Sequence, residues 1–320
     1  MSFSSTTKNE LSRLPIQNRC CAIAELAAIV RMSGTIQITG MKRISLKFGT
    51  ENAAIARRIF TLLKILYNTD VEVMVRKNKQ LKKNNNYLII VNSMEITTKI
   101  LEDVGFLTDE DSSYYTIDYK TPENLIENRC CRRAYIRGAF LGGGSISNPE
   151  KAYHLEFVTN SIEHGKDLSE IINSFNLDSK IVVRKENYVV YIKEGGQIVD
   201  ILNIMEAHQA LLKLENIRVF KDVRNNINRL VNCETANLSK TIDASLRQVE
   251  NIEYIDSKIG IDKLPKNLRE IARLRLQYRE ASLKELGTML KPPVGKSGVN
   301  HRFRRIDEIA EDLKRKENET

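Results

Sequence analysis

The chain has 320 residues, of which 42% are hydrophobic and 28% charged, with only six prolines, a balance that suits two folded domains and excludes a disordered chain. Its formal charge of +9 favours a polyanionic partner. No apolar run approaches the ~20 residues of a membrane span, and the polar stretch Met1 to Ser12 lacks the apolar core of a secretory leader, so a cytoplasmic protein with no membrane partner is expected.

The first strong signal is a helix from about Asn18 to Met32, in which only Glu25 and Arg31 are charged after Arg19. A helix so apolar all round is expected to be buried. Alternating runs then predict strands at Thr35 to Thr39 and Arg43 to Phe48, a helix from Asn52 to Tyr67, and strands at Val71 to Arg76 and Tyr87 to Val91. A further helix is expected near Asn92, where Asn92 and Glu95 have capping-box spacing. The turn Arg76 to Asn86 carries Arg76, Lys77, Lys79, Lys82 and Lys83. These could touch a nucleic-acid backbone, although a charged hairpin tip is more often simply solvated.

The same string then recurs. Ile16-Gln17-Asn18-Arg19-Cys20-Cys21 is echoed 110 residues later by Ile126-Glu127-Asn128-Arg129-Cys130-Cys131, and Gly34-Thr35-Ile36 by Gly144-Ser145-Ile146. Helices are expected at Asn128 to Leu141 and Ile162 to Phe175, with strands at Ile146, Tyr153 to Thr159, Lys180 to Arg184 and Tyr188 to Ile192. Each copy is thus αββαββα, over residues 16–110 and 126–205. Ala24 and Ala28, matched by Ala134 and Gly138, put small residues one turn apart, so the two opening helices should pack closely about a pseudo-twofold axis.

The five cysteines, Cys20, Cys21, Cys130, Cys131 and Cys233, do not have the spacing of a zinc motif, and their odd number fits no disulfide framework. They read as small buried thiols. A redox or metal site would require one vicinal pair to meet the other in space. Neither a metal nor a cofactor is expected.

Beyond Glu206 the pattern becomes wholly helical: a charged stretch from Glu206 to about Asn232, then a separate helix from Leu238 to Val249. Asn267 with Glu270 is spaced to cap a helix from Leu268 to Tyr278, and Ser282 with Glu285 a short one to about Leu290. Lys291-Pro292-Pro293-Val294-Gly295-Lys296 must be a turn. Ser297 is then expected to cap a final helix with Val299, Phe303, Ile306, Ile309, Ala310 and Leu313 on its inner face. This is a helix-turn-helix pattern, with Asn300, His301, Arg302, Arg304 and Arg305 near the start of the second helix. Arg and Asn suit base edges, whereas Ser282, Lys284, Lys291, Lys296 and Ser297 around the turn suit phosphates. Between Lys263 and Arg305, twelve Lys and Arg stand against Glu270, Glu280 and Glu285, leaving the rest of the chain electrically balanced. Double-stranded DNA is the expected partner, and no aromatic-rich sheet motif for stacking RNA bases is evident.

Within the repeats, Ile136-Arg137-Gly138-Ala139-Phe140-Leu141-Gly142-Gly143-Gly144, and more loosely Leu26 to Gly34, resemble the motif of the LAGLIDADG homing endonucleases. The resemblance implies that each helix would end in an acidic metal ligand. Here Ser33 and Gly143 stand at those positions, with Arg31 and Leu141 two residues earlier. Two-metal phosphodiester hydrolysis needs carboxylate oxygens there, so no catalytic residue is assigned and no enzyme is expected.

With Asn228-Arg229-Leu230-Val231-Asn232-Cys233-Glu234-Thr235-Ala236-Asn237 and Lys296-Ser297-Gly298-Val299-Asn300-His301-Arg302, the whole chain resembles the WhiA family. That resemblance implies an α+β fold of tandem degenerate LAGLIDADG-like repeats (1–205), a helical linker (206–237) and an all-α helix-turn-helix domain (238–320) similar to sigma-factor region 4. It further implies a bacterial, nucleoid-associated transcription regulator linked to cell division, chromosome segregation and sporulation. Promoter DNA would be its partner, with RNA polymerase or another transcription factor as a second. A non-specific architectural protein is the alternative, and a residual metal-dependent nuclease a weaker one.

Overall fold

The computed structural model describes residues 1–39, 43–77, 85–108 and 116–318. They fold into two compact units, Met1–Lys221 and Asp222–Thr320.

The first unit opens with a helix that the polar composition of its sequence concealed, α1 (Phe3–Leu11), which Ser2 caps by accepting from the Ser5 amide at 3.1 Å. Two copies of one pattern follow. The first comprises α2 (Arg19–Ser33), β1 (Gly34–Thr39), β2 (Arg43–Thr50), α3 (Ala53–Tyr67), β3 (Glu72–Lys77), β4 (Asn85–Val91) and α4 (Met94–Asp103). A short ribbon, β5 (Leu107–Thr108) with β6 (Thr116–Ile117), and one turn of helix, α5 (Glu123–Ile126), lead to the second copy. That copy comprises α6 (Arg129–Gly143), β7 (Gly144–Ile146), β8 (Leu155–Thr159), α7 (Ile162–Asn173), β9 (Lys180–Arg184), β10 (Asn187–Ile192) and α8 (Gly195–Met205).

The two antiparallel sheets have equivalent orders, β1-β2-β4-β3 and β7-β8-β10-β9. Period-two alternation aims Ile44, Leu46 and Phe48 of β2, and Leu155 and Phe157 of β8, into one core. One expected cap is replaced: Ser93 rather than Asn92 opens α4, because the Asn92 amide is turned to Glu72 at 2.8 Å.

Helices α2 and α6 form the most extensive interhelical contact of the unit. The small residues do allow close approach, since a methyl group at Gly138 would collide with the Glu25 carbonyl and meet the Ala28 methyl at 3.0 Å. Charge is buried in this seam, but it is paired. The Glu25 carboxylate accepts from Arg58 at 2.7 and 2.8 Å and from Arg137 at 3.0 Å, and Arg137 reaches on to Glu206 at 2.8 Å. Arg31 instead donates to the carbonyls of Val104, Gly105 and Lys120 at 2.7–2.9 Å, pinning the turn after α4.

His164 on α7 is fully buried between two hydroxyls, Tyr135 at 3.0 Å from Nε2 and Thr159 at 3.2 Å from Nδ1. Burial, and secondarily the Arg31 charge, lower its pKa to about 3. Below the ordinary value of about 6.5 the unfolded chain takes up a proton that the folded chain refuses, so stability falls as pH drops from about 6.5 towards 3. We expect acid unfolding of the wild type to set in at higher pH than that of His164→Gln; coincident pH-stability curves would count against this.

The helix α9 (His208–Lys258) runs through both units as a single element. The separate helices expected at Glu206 to Asn232 and Leu238 to Val249 are therefore one, because the sequence between them holds no glycine or proline to stop the hydrogen-bond ladder. The border between the two units falls between Lys221 and Asp222. The stretch Asn228 to Asn237 is wholly exposed along this helix.

The second unit packs the end of α9, a 3-10 turn (Ile261–Lys263), α10 (Lys266–Gln277), α11 (Leu283–Met289) and α12 (Lys296–Asn318) around its own core. Ile252, Ile255, Leu268, Ile271, Leu286, Phe303 and Ile306 form its centre.

Candidate nucleic-acid interface

The helix-turn-helix is assembled from local rules. Ser282 caps α11 in a capping box, its hydroxyl accepting from the Glu285 amide at 3.3 Å while the Glu285 carboxylate accepts from the Ser282 amide at 2.7 Å. These bonds hold the Glu285 carboxyl below its ordinary range. Across the turn, the Val294 amide donates to the Gly287 carbonyl at 2.9 Å, folding residues 290–295 back onto α11. Val299, Phe303, Ile306 and Ala310 recur at helical spacing and are fully or almost fully buried, which fixes the rotation of α12 about its axis.

That rotation decides which of the expected contact residues are presented. Lys284, Lys291, Lys296, Ser297, His301, Arg304 and Arg305 are exposed, whereas Ser282, Asn300 and Arg302 are half-buried. Ser297, His301 and Arg304 lie one turn apart on a single open face of α12. Two arginines have other engagements. Arg302 donates to the Asn267 carbonyl of α10 at 3.2 Å, and Arg305 pairs with Glu308 at 2.6 Å. Two expected caps also move: Ser297 stands within the first turn of α12, which begins at Lys296, and Asn267 stands within α10, whose N-terminal cap is Pro265. Proline is compatible with a helix start because its missing amide would be unpaired there anyway.

The local basic surplus is smaller in space than along the chain. Asp262, Glu253 and Glu308 all lie outside the Lys263 to Arg305 window, yet they pair with Arg273, Arg279 and Arg305 at 2.5–2.7 Å. Arg275, counted in the same surplus, is an interior residue at 2% exposure. It donates to Gln248 at 3.1 Å and to the carbonyls of Arg279 and Ala281 at 3.2 and 2.6 Å, and its guanidinium lies 5.3 Å from the Phe303 ring. Burial lowers its pKa. Sequence reasoning missed this role because nothing in the spacing separates Arg275 from its exposed neighbours. Replacing Arg275 with Met keeps the packing stem and removes the donors, so we expect a loss of about 2–3 kcal/mol in the second unit. Chemical denaturation of the full chain measures it, and an unchanged midpoint would contradict the role.

In the first unit, Ser33 and Gly143, which the motif resemblance sets against nuclease metal ligands, close the C-terminal ends of α2 and α6. Ser33 turns its hydroxyl back onto the Ile29 carbonyl at 3.1 Å. At Gly143 an added Cβ would come within 2.5 Å of the Met32 terminal methyl and 2.8 Å of the Val158 carbonyl. Among the described residues, no three carboxylate or imidazole groups converge there.

The secondary contact residues are only partly defined. Arg76 is exposed on β3, while the side chain of Lys77 and all of Lys79, Lys82 and Lys83 lie outside the described residues. On the face of the second sheet turned away from the helices, Arg184 is 3.7 Å from Glu156, and Glu156 also meets His154 at 3.1 Å.

Three family models match the chain: the WhiA N-terminal LAGLIDADG-like domain over residues 19–107, the WhiA LAGLIDADG-like domain over 132–224, and the WhiA C-terminal HTH domain over 227–310. The chain is 58% identical over 311 residues to a protein of Alkaliphilus metalliredigens named probable cell division protein WhiA, covering 97% of this chain and 98% of that one. It is 60% identical over 314 residues to the protein of the same name in Alkaliphilus oremlandii, covering 98% of each. Among solved structures, full-length DUF199/WhiA from Thermatoga maritima aligns with a TM-score of 0.59 at 27% identity, over 98% of this chain and 99% of that one.

Proposed function

The chain belongs to the WhiA family, and on that premise we propose that it is a sequence-specific DNA-binding transcription regulator linked to cell division, one that reads duplex DNA through α12 and does not cut it. The observation that carries this reading is the orientation of α12. Its buried stripe leaves Ser297, His301 and Arg304 on one open face, with Lys284, Lys291 and Lys296 exposed around the turn. A helix inserted in the major groove by its first turns would set Asn300, His301 and Arg304 toward base edges, with the lysines and the serines Ser282 and Ser297 toward phosphates. Arg302 and Arg305 contribute chiefly through their contacts with Asn267 and Glu308. The names of its relatives supply the link to cell division. Location at the nucleoid follows from the same reading, and RNA polymerase or another transcription factor is the protein partner a promoter-bound regulator would meet.

The absence of nuclease activity rests on Ser33 and Gly143, neither of which supplies a carboxylate. The first unit, 1–205 in the repeat reading, then serves as a platform, and any DNA contact through Arg76 and the hairpin beyond it is secondary.

The test is selection from a random duplex pool by the full chain at two salt concentrations, with Mg²⁺ or Mn²⁺ present. A regulator enriches a motif and leaves both strands intact. Salt-sensitive binding without enrichment would give the lead to a non-specific architectural protein, and metal-dependent nicking would overturn the non-enzymatic reading.

A further inference from the structure

The fold brings together two vicinal cysteine pairs that stand 110 residues apart in sequence. Cys20 and Cys21 lie in the first turn of α2, and Cys130 and Cys131 in the first turn of α6. Because α2 and α6 pack against each other, all four sulfur atoms lie within 4.8 Å of one another. Only Cys131 is buried; Cys20 and Cys130 are exposed and Cys21 is intermediate, so the expectation of small interior thiols holds for one of the four. The spatial meeting that a metal site requires is met, and it was invisible in a spacing that matches no zinc motif.

From this arrangement we propose that Cys20, Cys21, Cys130 and Cys131 form a tetrahedral thiolate site for a single soft metal ion, Zn²⁺ in the first instance, that staples the two repeats together. Four thiolates around one zinc at about 2.3 Å would have their sulfurs about 3.8 Å apart. Rotamer adjustments of ångström size bring the four from their present spread to that distance. Sulfurs this close suit one ion better than a cluster of several metal atoms.

Burial holds the Cys21 and Cys131 thiols above their ordinary pKa, so displacing their protons is left to the metal ion, and the two helix ends oppose that cost. Both helices start at asparagines, Asn18 and Asn128, whose side chains make no capping bond. Amides in the first turns are therefore left without a side-chain acceptor, and the positive ends of two helix dipoles converge on the thiols. An entry path exists, because Cys21 and Cys130 line a cleft of about 140 Å³ shared with Asn18, Arg133 and Arg137. Binding replaces four thiol protons with one divalent ion, which neutralises half of the charge created; no redox step is involved.

The test uses the full chain, reduced and stripped of metal, titrated with Co²⁺ as a spectroscopic stand-in for Zn²⁺. The expected result is one Co²⁺ per chain, with the thiolate charge-transfer bands and intense ligand-field bands of a tetrahedral site, all abolished by one equivalent of Zn²⁺. The double variant Cys20→Ser/Cys130→Ser changes exposed positions and should fold, which its metal-free thermal transition checks. It should lose the bands, whereas Cys233→Ser should keep them. Zn²⁺ should also raise the melting temperature of the wild type and leave that of the double variant unmoved. No charge-transfer bands in the reduced wild type, bands that persist in the double variant, or one ion per two chains would each overturn the proposal. So would an intramolecular Cys20–Cys130 disulfide as the form that survives in reducing buffer.

Discussion

Replacing Glu25 with Ala is expected to cost the first unit about 3–5 kcal/mol, because it leaves buried arginine charge without its partner. Glu25 is 1% exposed and accepts three charged hydrogen bonds, two from Arg58 and one from Arg137, which are themselves 4% and 7% exposed. Arg137 retains Glu206, whereas Arg58 keeps only the Leu14 carbonyl, so the uncompensated charge is that of Arg58. Glu25→Gln keeps the shape and two hydrogen-bond sites while losing the charge, and should fall between wild type and Glu25→Ala. Equilibrium denaturation of the three proteins, followed by a signal from the first unit, measures the series. A Glu25→Ala midpoint within error of the wild type would show that the network contributes nothing to holding α2, α3 and α6 together.

The second large effect is expected on DNA. Lys291, Lys296 and Arg304 are exposed and carry no ion pair among the described residues. If all three approach phosphates or bases, the triple alanine variant should flatten the slope of log affinity against log salt by about three, roughly one for each cation removed. At low salt its affinity should fall by several orders of magnitude, and the fold of the second unit should be unaffected, since none of the three belongs to its core. Titration at four or five salt concentrations gives the slope directly. A slope unchanged within error would move the interface away from α12.

Much of this architecture could be read from the sequence because it is built on local periodicity. The Ile162 to Asn173 helix, the Lys180 to Arg184 strand and the Ser282–Glu285 capping box are all set by neighbours within a few residues. The repeat supplied the pairing of α2 with α6, and the small side chain of Gly138 allowed their closeness to be anticipated. What escaped was decided by partners distant in sequence. Asn92 had the spacing of a cap but found Glu72 instead, and Arg275 looked like one more surface cation until α9 and the α10–α11 turn closed around it. The basic segment looked more positive than it is because Glu253, Asp262 and Glu308 lie outside it in sequence and beside it in space. The four clustered cysteines are the extreme case, since no count or spacing within either pair reveals that the pairs meet.

Base readout by α12 is tested most directly by comparing the wild type with Arg304→Ala on a site enriched from the random pool, measuring affinity for every single-base change in that site. The expected result is that Arg304→Ala binds the best site more weakly and loses its preference at one or two adjacent positions, worth about 1–3 kcal/mol, while the remaining positions keep theirs. Uniform weakening at every position would reduce Arg304 to a phosphate contact, and an unaltered profile would contradict reading of DNA by this face of α12.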